Sequence, residues 1–167
     1  MIELIAASAL MMGIKSVDLG KAEGRCRPDE SGPAFIVDVA GLKDRKGNLK
    51  LEIYPANDKD FLEDDRILVN AGKVFRRVEV PVPANGQLCV RVPRPGTYAV
   101  SILHDRDSNR KFGLSTDGIA FAGNPKLGMS KPKAASASAR AGSGITRLRV
   151  VMNYRTGLVS FGPLKRK

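Results

Sequence analysis

The segment that most restricts the fold is Pro95 to Leu103, a proline–glycine turn followed by Thr-Tyr-Ala-Val-Ser-Ile-Leu. Pro95 presets φ at one turn position and Gly96 accepts a positive φ at the next. The residues after them are rich in β-branched and aromatic side chains, the composition of a strand. Alternation puts Tyr98, Val100 and Ile102 on one face and Ala99, Ser101 and Leu103 on the other. Both faces therefore call for cover, and the strand reads as the central element of an all-β domain.

The same period of two recurs on either side. Phe35, Val37 and Val39 alternate with Ile36, Asp38 and Ala40, and after a turn over Gly41 to Asn48, Leu49, Leu51 and Ile53 alternate with Lys50, Glu52 and Tyr54. This pair reads as a hairpin with one wet face. Val74, Val78, Val80 and Val82 share a face of Lys73 to Val82, and Pro81 and Pro83 set that strand near a sheet edge, because proline cannot donate to a ladder. Ala84-Asn85-Gly86 reads as a second hairpin turn, leading into Leu88, Val90 and Val92. Ile145 to Tyr154 is the last strand, with Leu148, Val150 and Met152 inward and Arg147 and Arg149 outward. Lys133 to Arg140 reads as an edge strand of small residues. Asn57 to Ala71 is an excursion with room for a short helical turn, and its acids read as a solvated surface. Leu114 to Lys133 reads as a long loop with isolated apolar residues (Ile119, Phe121, Leu127, Met129), the kind that carries function on a β-scaffold. The expectation is an antiparallel β-sandwich of about seven strands over residues 34–156, with one long loop after the central strand.

Leu4 to Ile14 is an apolar run too short to span a bilayer as a helix and of the length of a signal-peptide core. As an export signal it sets residues 1–20 apart, leaving 21–33 as a polar extension and 157–167 as a basic, fraying tail. The preceding Met-Ile-Glu lacks the usual positive charge and no Ala-x-Ala site follows, so a structural helix is the alternative. No other stretch is a transmembrane candidate. Export implies the periplasm or the exterior, where Cys26 and Cys89, the two cysteines of the chain, form a candidate disulfide tying the extension to the strand at Leu88 to Val92.

With 28 lysines and arginines against 17 aspartates and glutamates, the chain carries a formal charge of +11 and attracts anionic surfaces. Its tyrosines and phenylalanines are scattered, without the cluster a base-stacking platform needs, so nucleic acid is a poor candidate. An anionic component of the cell envelope is the expected partner, with charge serving only solubility as the alternative.

After the central strand, Asp105, Asp107 and Asn109 alternate with Arg106, Ser108 and Arg110. Oxygens at this spacing match the first positions of a calcium loop, in which alternate side chains wrap a hard cation. Arg110 stands where such a loop needs glycine, Thr116 where it needs a bidentate glutamate, and Arg106, Arg110 and Lys111 add positive charge. The alternative is a loop held by Asx turns. His104, Lys111, Asp117 and Asn124 complete the candidate loop residues. His104 is the one histidine, which excludes a multi-histidine metal site. It continues the Tyr98, Val100, Ile102 face, as a hydrogen-bonded strand-end residue would. A hydrolase built on His104 and Asp105 is the enzymatic alternative, but there is no nucleophile elbow, phosphate-cradling motif or dinucleotide fingerprint. The expected protein is not an enzyme and needs no cofactor beyond a possible calcium ion.

Pro95-Gly96-Thr97-Tyr98-Ala99-Val100 resembles the Pro-Gly-x-Tyr-x-Val/Leu signature of transthyretin-like, Ig-like β-sandwiches. With His104-Asp105, Asp107, Asn109 and Lys111 after it, and Val39-Ala40-Gly41-Leu42 and Lys46-Gly47-Asn48-Leu49 before it, the chain resembles the bacterial exported family called domain of unknown function 2141 from about Phe35 to Tyr154. The family loop commonly reads His-Asp-x-Asn-x-Asn-Gly-Lys-x-Asp. Here Asp107, Arg110 and Gly113 depart from it, the last two at the expense of a cation site. The resemblance implies a sandwich and an envelope location, and brings no established activity.

Overall fold

The computed structural model describes residues 16–165; the apolar run Leu4–Ile14 and the last two residues lie outside them. In chain order the strands are β1 (Ala34–Ala40), β2 (Asn48–Pro55), β3 (Arg76–Pro81), β4 (Gln87–Arg91) and β5 (Gly96–Asp105). They continue with β6 (Gly118–Phe121), β7 (Ser138–Ala141), β8 (Ile145–Val151), β9 (Tyr154–Arg155) and β10 (Phe161–Gly162), and the helices are α1 (Lys21–Gly24) and α2 (Asp65–Asn70). One sheet has the order β4-β1-β8 and the other β3-β2-β5-β6, with β7 pairing the first half of the β5 edge that β6 pairs further on. Their facing sides bury Phe35, Val37, Val90 and Val150 against Leu51, Ile53, Val100 and Ile102. The result is the expected all-β sandwich, with one pair running parallel: β8 lies alongside β1 in the same direction, Val37 opposite Leu148.

The turns read as hairpins instead switch sheets. β1 and β2 lie in different sheets, as do β3 and β4. Alternation states which face of a strand is buried and not which neighbour it bonds to. The Gly41–Gly47 connection is longer than the tight turns that lock a hairpin, and it arches over the edge of the core. Gly47, at φ 68°, packs so closely on the backbone of Asp105 and Arg106 that any side chain would overlap it.

The outer face of β2 is not wet. A second cluster of Tyr54, Phe61, Leu68, Phe75, Ala99, Phe121, Ala134 and Ala137 covers that side of the larger sheet. Phe61 and Leu68 of this cover come from the excursion after β2, where α2 is capped by Asp64, whose side chain accepts the Arg66 N–H at 2.9 Å. The acids of this segment are only partly solvated: Asp60 and Asp65 are buried, Asp60 against Lys73 at 2.6 Å. Beneath α2, the buried guanidinium of Arg77 reaches Glu52 at 2.7 Å and Asp65 at 2.9 Å, donates to the Ser16 carbonyl, and lies over the Phe75 ring.

Three boundaries differ from expectation. The loop Leu114–Lys133 contains β6, which the sequence conceals because its opening residue is Gly118, a glycine required by the Tyr154 ring packed where a side chain would stand. The small-residue edge strand is shorter than Lys133–Arg140, with a 3₁₀ turn over Ala134–Ala137 before β7. The last long strand ends at Val151, and the chain continues through β9 to a ribbon with β10 that holds the tail as far as Gly162.

At the other terminus α1 packs on β3, and Cys26 and Cys89 form the expected disulfide, 6.0 Å between Cα atoms across a sequence separation of 63. Among the described residues no helix is long and apolar enough to cross a membrane. Replacing both cysteines by serine is expected to lower the unfolding free energy by about 2–4 kcal/mol, read as an earlier urea midpoint; an unchanged midpoint would separate the disulfide from stability.

Candidate functional site

The end of β5 delivers His104 and Asp105, both fully buried, to the edge where the Gly41–Gly47 arch and β9 meet. The two nitrogens of His104 are taken: Nδ1 lies 2.7 Å from the Tyr154 hydroxyl and Nε2 2.8 Å from the Lys46 carbonyl. A carbonyl accepts only, so Nε2 carries the proton, and Nδ1 accepts from Tyr154, whose oxygen in turn accepts the Lys43 N–H. Burial pushes the imidazole below its ordinary pKa, favouring the neutral form this arrangement requires. His104 is the hydrogen-bonded strand-end residue its periodicity indicated.

Asp105 opens the loop that leads to β6. Its carboxylate accepts the Asn109 N–H at 3.1 Å and the Arg110 N–H at 2.8 Å. Asp107 accepts the Asn109 N–H at 3.2 Å, and Asn109 accepts the Lys111 N–H at 2.8 Å, so successive Asx turns wind the chain. Ser108 and Arg110 lie in the left-handed region at φ 58° and 65°. Arg110 thus occupies the conformation for which glycine is favoured, at a cost of about 1 kcal/mol. Asp117 closes the loop from its far end: buried, it accepts the Arg106 N–H at 2.9 Å and the Gly113 N–H at 2.8 Å.

This winding brings together Asp105, Asp107 and Asp117, each offering a carboxylate oxygen within 4.8 Å of the others. Asn109 turns its amide to Asp107 at 2.8 Å instead. Burial pushes the Asp105 carboxyl up, with the neighbouring Asp107 and Asp117 adding to the rise. Such a group gains from a nearby cation, and carboxylate oxygens suit a hard one. The basic side chains of the loop point elsewhere: Arg106 binds Asp44 and the Thr116 carbonyl, and Arg110 binds Glu79 at 3.0 Å. Lys111 is exposed, and Asn124 bonds the β8 backbone at Arg149 and Val151.

Asp44, Tyr154 and Asp117 come to this edge from three distant parts of the chain. Of these only Asp117 was visible in the sequence, through its place beside the twelfth position of the loop. Nothing in the spacing marks Asp44 or Tyr154, since an arch and a different strand carry them. A two-layer β-sandwich with carboxylates gathered in the loop after its central strand is the class this geometry defines. No curated protein and no solved structure matches the chain. Residues 37–148, more than half of it, match the family described as "Uncharacterized protein conserved in bacteria (DUF2141)", and the chain belongs to that family.

The bond from Arg106 holds the Asp44 carboxyl down at about 2 from 3.8. A depressed carboxylate stabilises the native state above its ordinary range and loses that contribution as pH falls through its folded value. Asp44→Asn is therefore expected to destabilise at neutral pH and to converge with the parent as pH falls from 3.8 towards about 2. Urea midpoints of both proteins across that window check it; a constant gap would show that the pair is not the cause.

Proposed function

We propose that the chain is a non-catalytic binding module of the bacterial envelope that holds an anionic partner on its basic surface. The observation that carries this reading is one-sided burial of charge. Among the described residues Glu52, Asp60, Asp65, Asp105 and Asp117 are buried, against Arg77 alone of the lysines and arginines. Part of the acidic set is thus withdrawn from contact, while the basic groups stay where an approaching anion meets them directly. Arg140, Arg147 and Arg149 stand exposed along β7 and β8. The Cys26–Cys89 disulfide favours a compartment outside the cytoplasm. The engaged nitrogens of His104 weigh against the hydrolase alternative, which needs one of them free to exchange a proton. The transthyretin-like form of the sandwich belongs to the same proposal, on the Pro95-Gly96-Thr97-Tyr98 signature.

Retention on a dextran sulfate resin and on a washed envelope fraction is expected at low salt and is lost as the Debye length shrinks from about 30 Å at 0.01 M to about 8 Å at 0.15 M. An Arg140→Ser, Arg147→Ser, Arg149→Ser variant elutes earlier. Retention that ignores salt, or its absence from both matrices, overturns the reading.

The convergence of carboxylates favours a second reading, a calcium-stabilised structural module with Asp105, Asp107 and Asp117 as ligands. Calcium at millimolar concentration then raises the melting temperature above that in chelator, because it binds the native state. Asp105→Ala abolishes the rise. A melt that calcium does not move ends this reading.

A further inference from the structure

On the side of the molecule where the loops after β5 and β6 meet the β9–β10 ribbon lies an open groove of about 280 Å³. Leu62, Phe112, Leu114, Leu127, Met129 and Phe161 line it, and among the described residues Lys131 is its one charged lining residue. Leu114 is 59% exposed and Met129 81%, and on the adjoining ribbon Leu158 and Val159 reach 88% and 69%. These side chains form one surface because their loops are bonded together. Phe112 and Phe161 rings sit 5.8 Å apart, and the Arg155 guanidinium takes the Ser115 hydroxyl and the Leu158 carbonyl, both at 3.0 Å. Leu62, Phe112, Leu114 and Met129, four of the ten large exposed apolar side chains among the described residues, line this groove, and an apolar patch of this kind marks an interaction surface.

We infer that this face docks on an anionic phospholipid bilayer, an inference that rests on the reading of an anionic envelope partner and names where and with what chemistry it is met. Charge complementarity selects the occupant. Lys111 and Lys126 flank the lining residues Phe112 and Leu127, Lys131 lines the groove with its ammonium on the Asp58 and Phe61 carbonyls, and Arg155, on the adjoining ribbon, has no carboxylate partner among the described residues. Of the acids near it in sequence, Asp117 is buried in its loop, Asp60 pairs with Lys73, Asp64 with Arg66 and Asp58 with Lys133, while Glu63, half-buried, accepts the Asp64 N–H. Apolar tips ringed by basic side chains match the boundary of an anionic bilayer, where leucine, methionine and phenylalanine enter the acyl region and lysine and arginine stay among headgroup phosphates. Each basic residue near such a surface contributes about fivefold to binding.

The test is flotation of the full-length protein with phosphatidylglycerol vesicles and, separately, phosphatidylcholine vesicles, comparing the parent with a Leu114→Ser, Met129→Ser variant. Both substituted side chains are exposed, so circular dichroism and the thermal melt stay unchanged, and the run Leu4–Ile14 is present in both proteins. The parent is expected to float with phosphatidylglycerol and not phosphatidylcholine, and the variant to bind about tenfold more weakly or worse. Equal flotation of parent and variant overturns the assignment of this face. Equal flotation with both lipids overturns its charge component. Failure to float while dextran sulfate still retains the protein overturns the lipid and leaves the anionic-partner reading standing; failure on both removes both. A dimer seen by light scattering that the variant dissolves, without flotation, assigns the face to a second copy.

Discussion

Strand β5 is buried on both faces from Tyr98 to Asp105, and a strand so placed needs a layer on each side. The small sheet supplies one layer, and the other is an irregular cover of loop, short helix and aromatic rings. That cover is fastened by the Arg77 guanidinium, which joins the sheet residue Glu52 to Asp65 of α2 and to the N-terminal segment at Ser16. Desolvating a guanidinium is costly unless its donors are matched. Arg77 meets carboxylates on two elements, so removing it would leave two buried carboxylates without their shared guanidinium. The ion pair thus ties the packing of the cover to the sheet beneath it.

The periodicity of two made the burial of each strand face legible, including the inward set Leu49, Leu51 and Ile53 and the placing of His104 on the Tyr98 face. Partners were another matter. The outer residues of β2, Lys50, Glu52 and Tyr54, look like a solvated row, and Glu52 and Tyr54 are buried because Arg77 neutralises one and Glu52 accepts the hydroxyl of the other at 2.8 Å. That pairing joins residues 25 positions apart, beyond any local pattern. At the candidate site, Asp105 and Asp107 were legible because their spacing is local. Asp117 was half legible, and Asp44 and Tyr154 were not, because the arch and β9 that deliver them were themselves misread or unread. The groove was hidden for a related reason: its apolar residues are isolated in a Gly- and Pro-rich stretch and become a surface only when three loops converge.

The carboxylates and the groove share one segment. Asp117 holds the Gly113 N–H, and Gly113 lies between Phe112 and Leu114, the apolar residues that this loop presents. Asp105 fixes the other end of the loop through Asn109 and Arg110. A buried polar network of this kind restricts the conformations of the loop before any partner arrives, which reduces the ordering cost of binding. The acidic cluster and the apolar tips are therefore joined through the backbone of one loop.

The parallel alignment of β8 with β1 bears on how the chain comes to be folded. β1 lies between β4 and β8, so one of its edges is completed by residues 145–151, more than 100 positions further along the chain. Until those residues are in place that edge stays open, with the apolar face carrying Phe35 and Val37. Contacts of such long range close slowly, and open edges invite pairing with other chains. The three-stranded sheet therefore cannot close before residues 145–151 reach β1, and until then β1 and β4 make at most a two-stranded ladder with one bare edge.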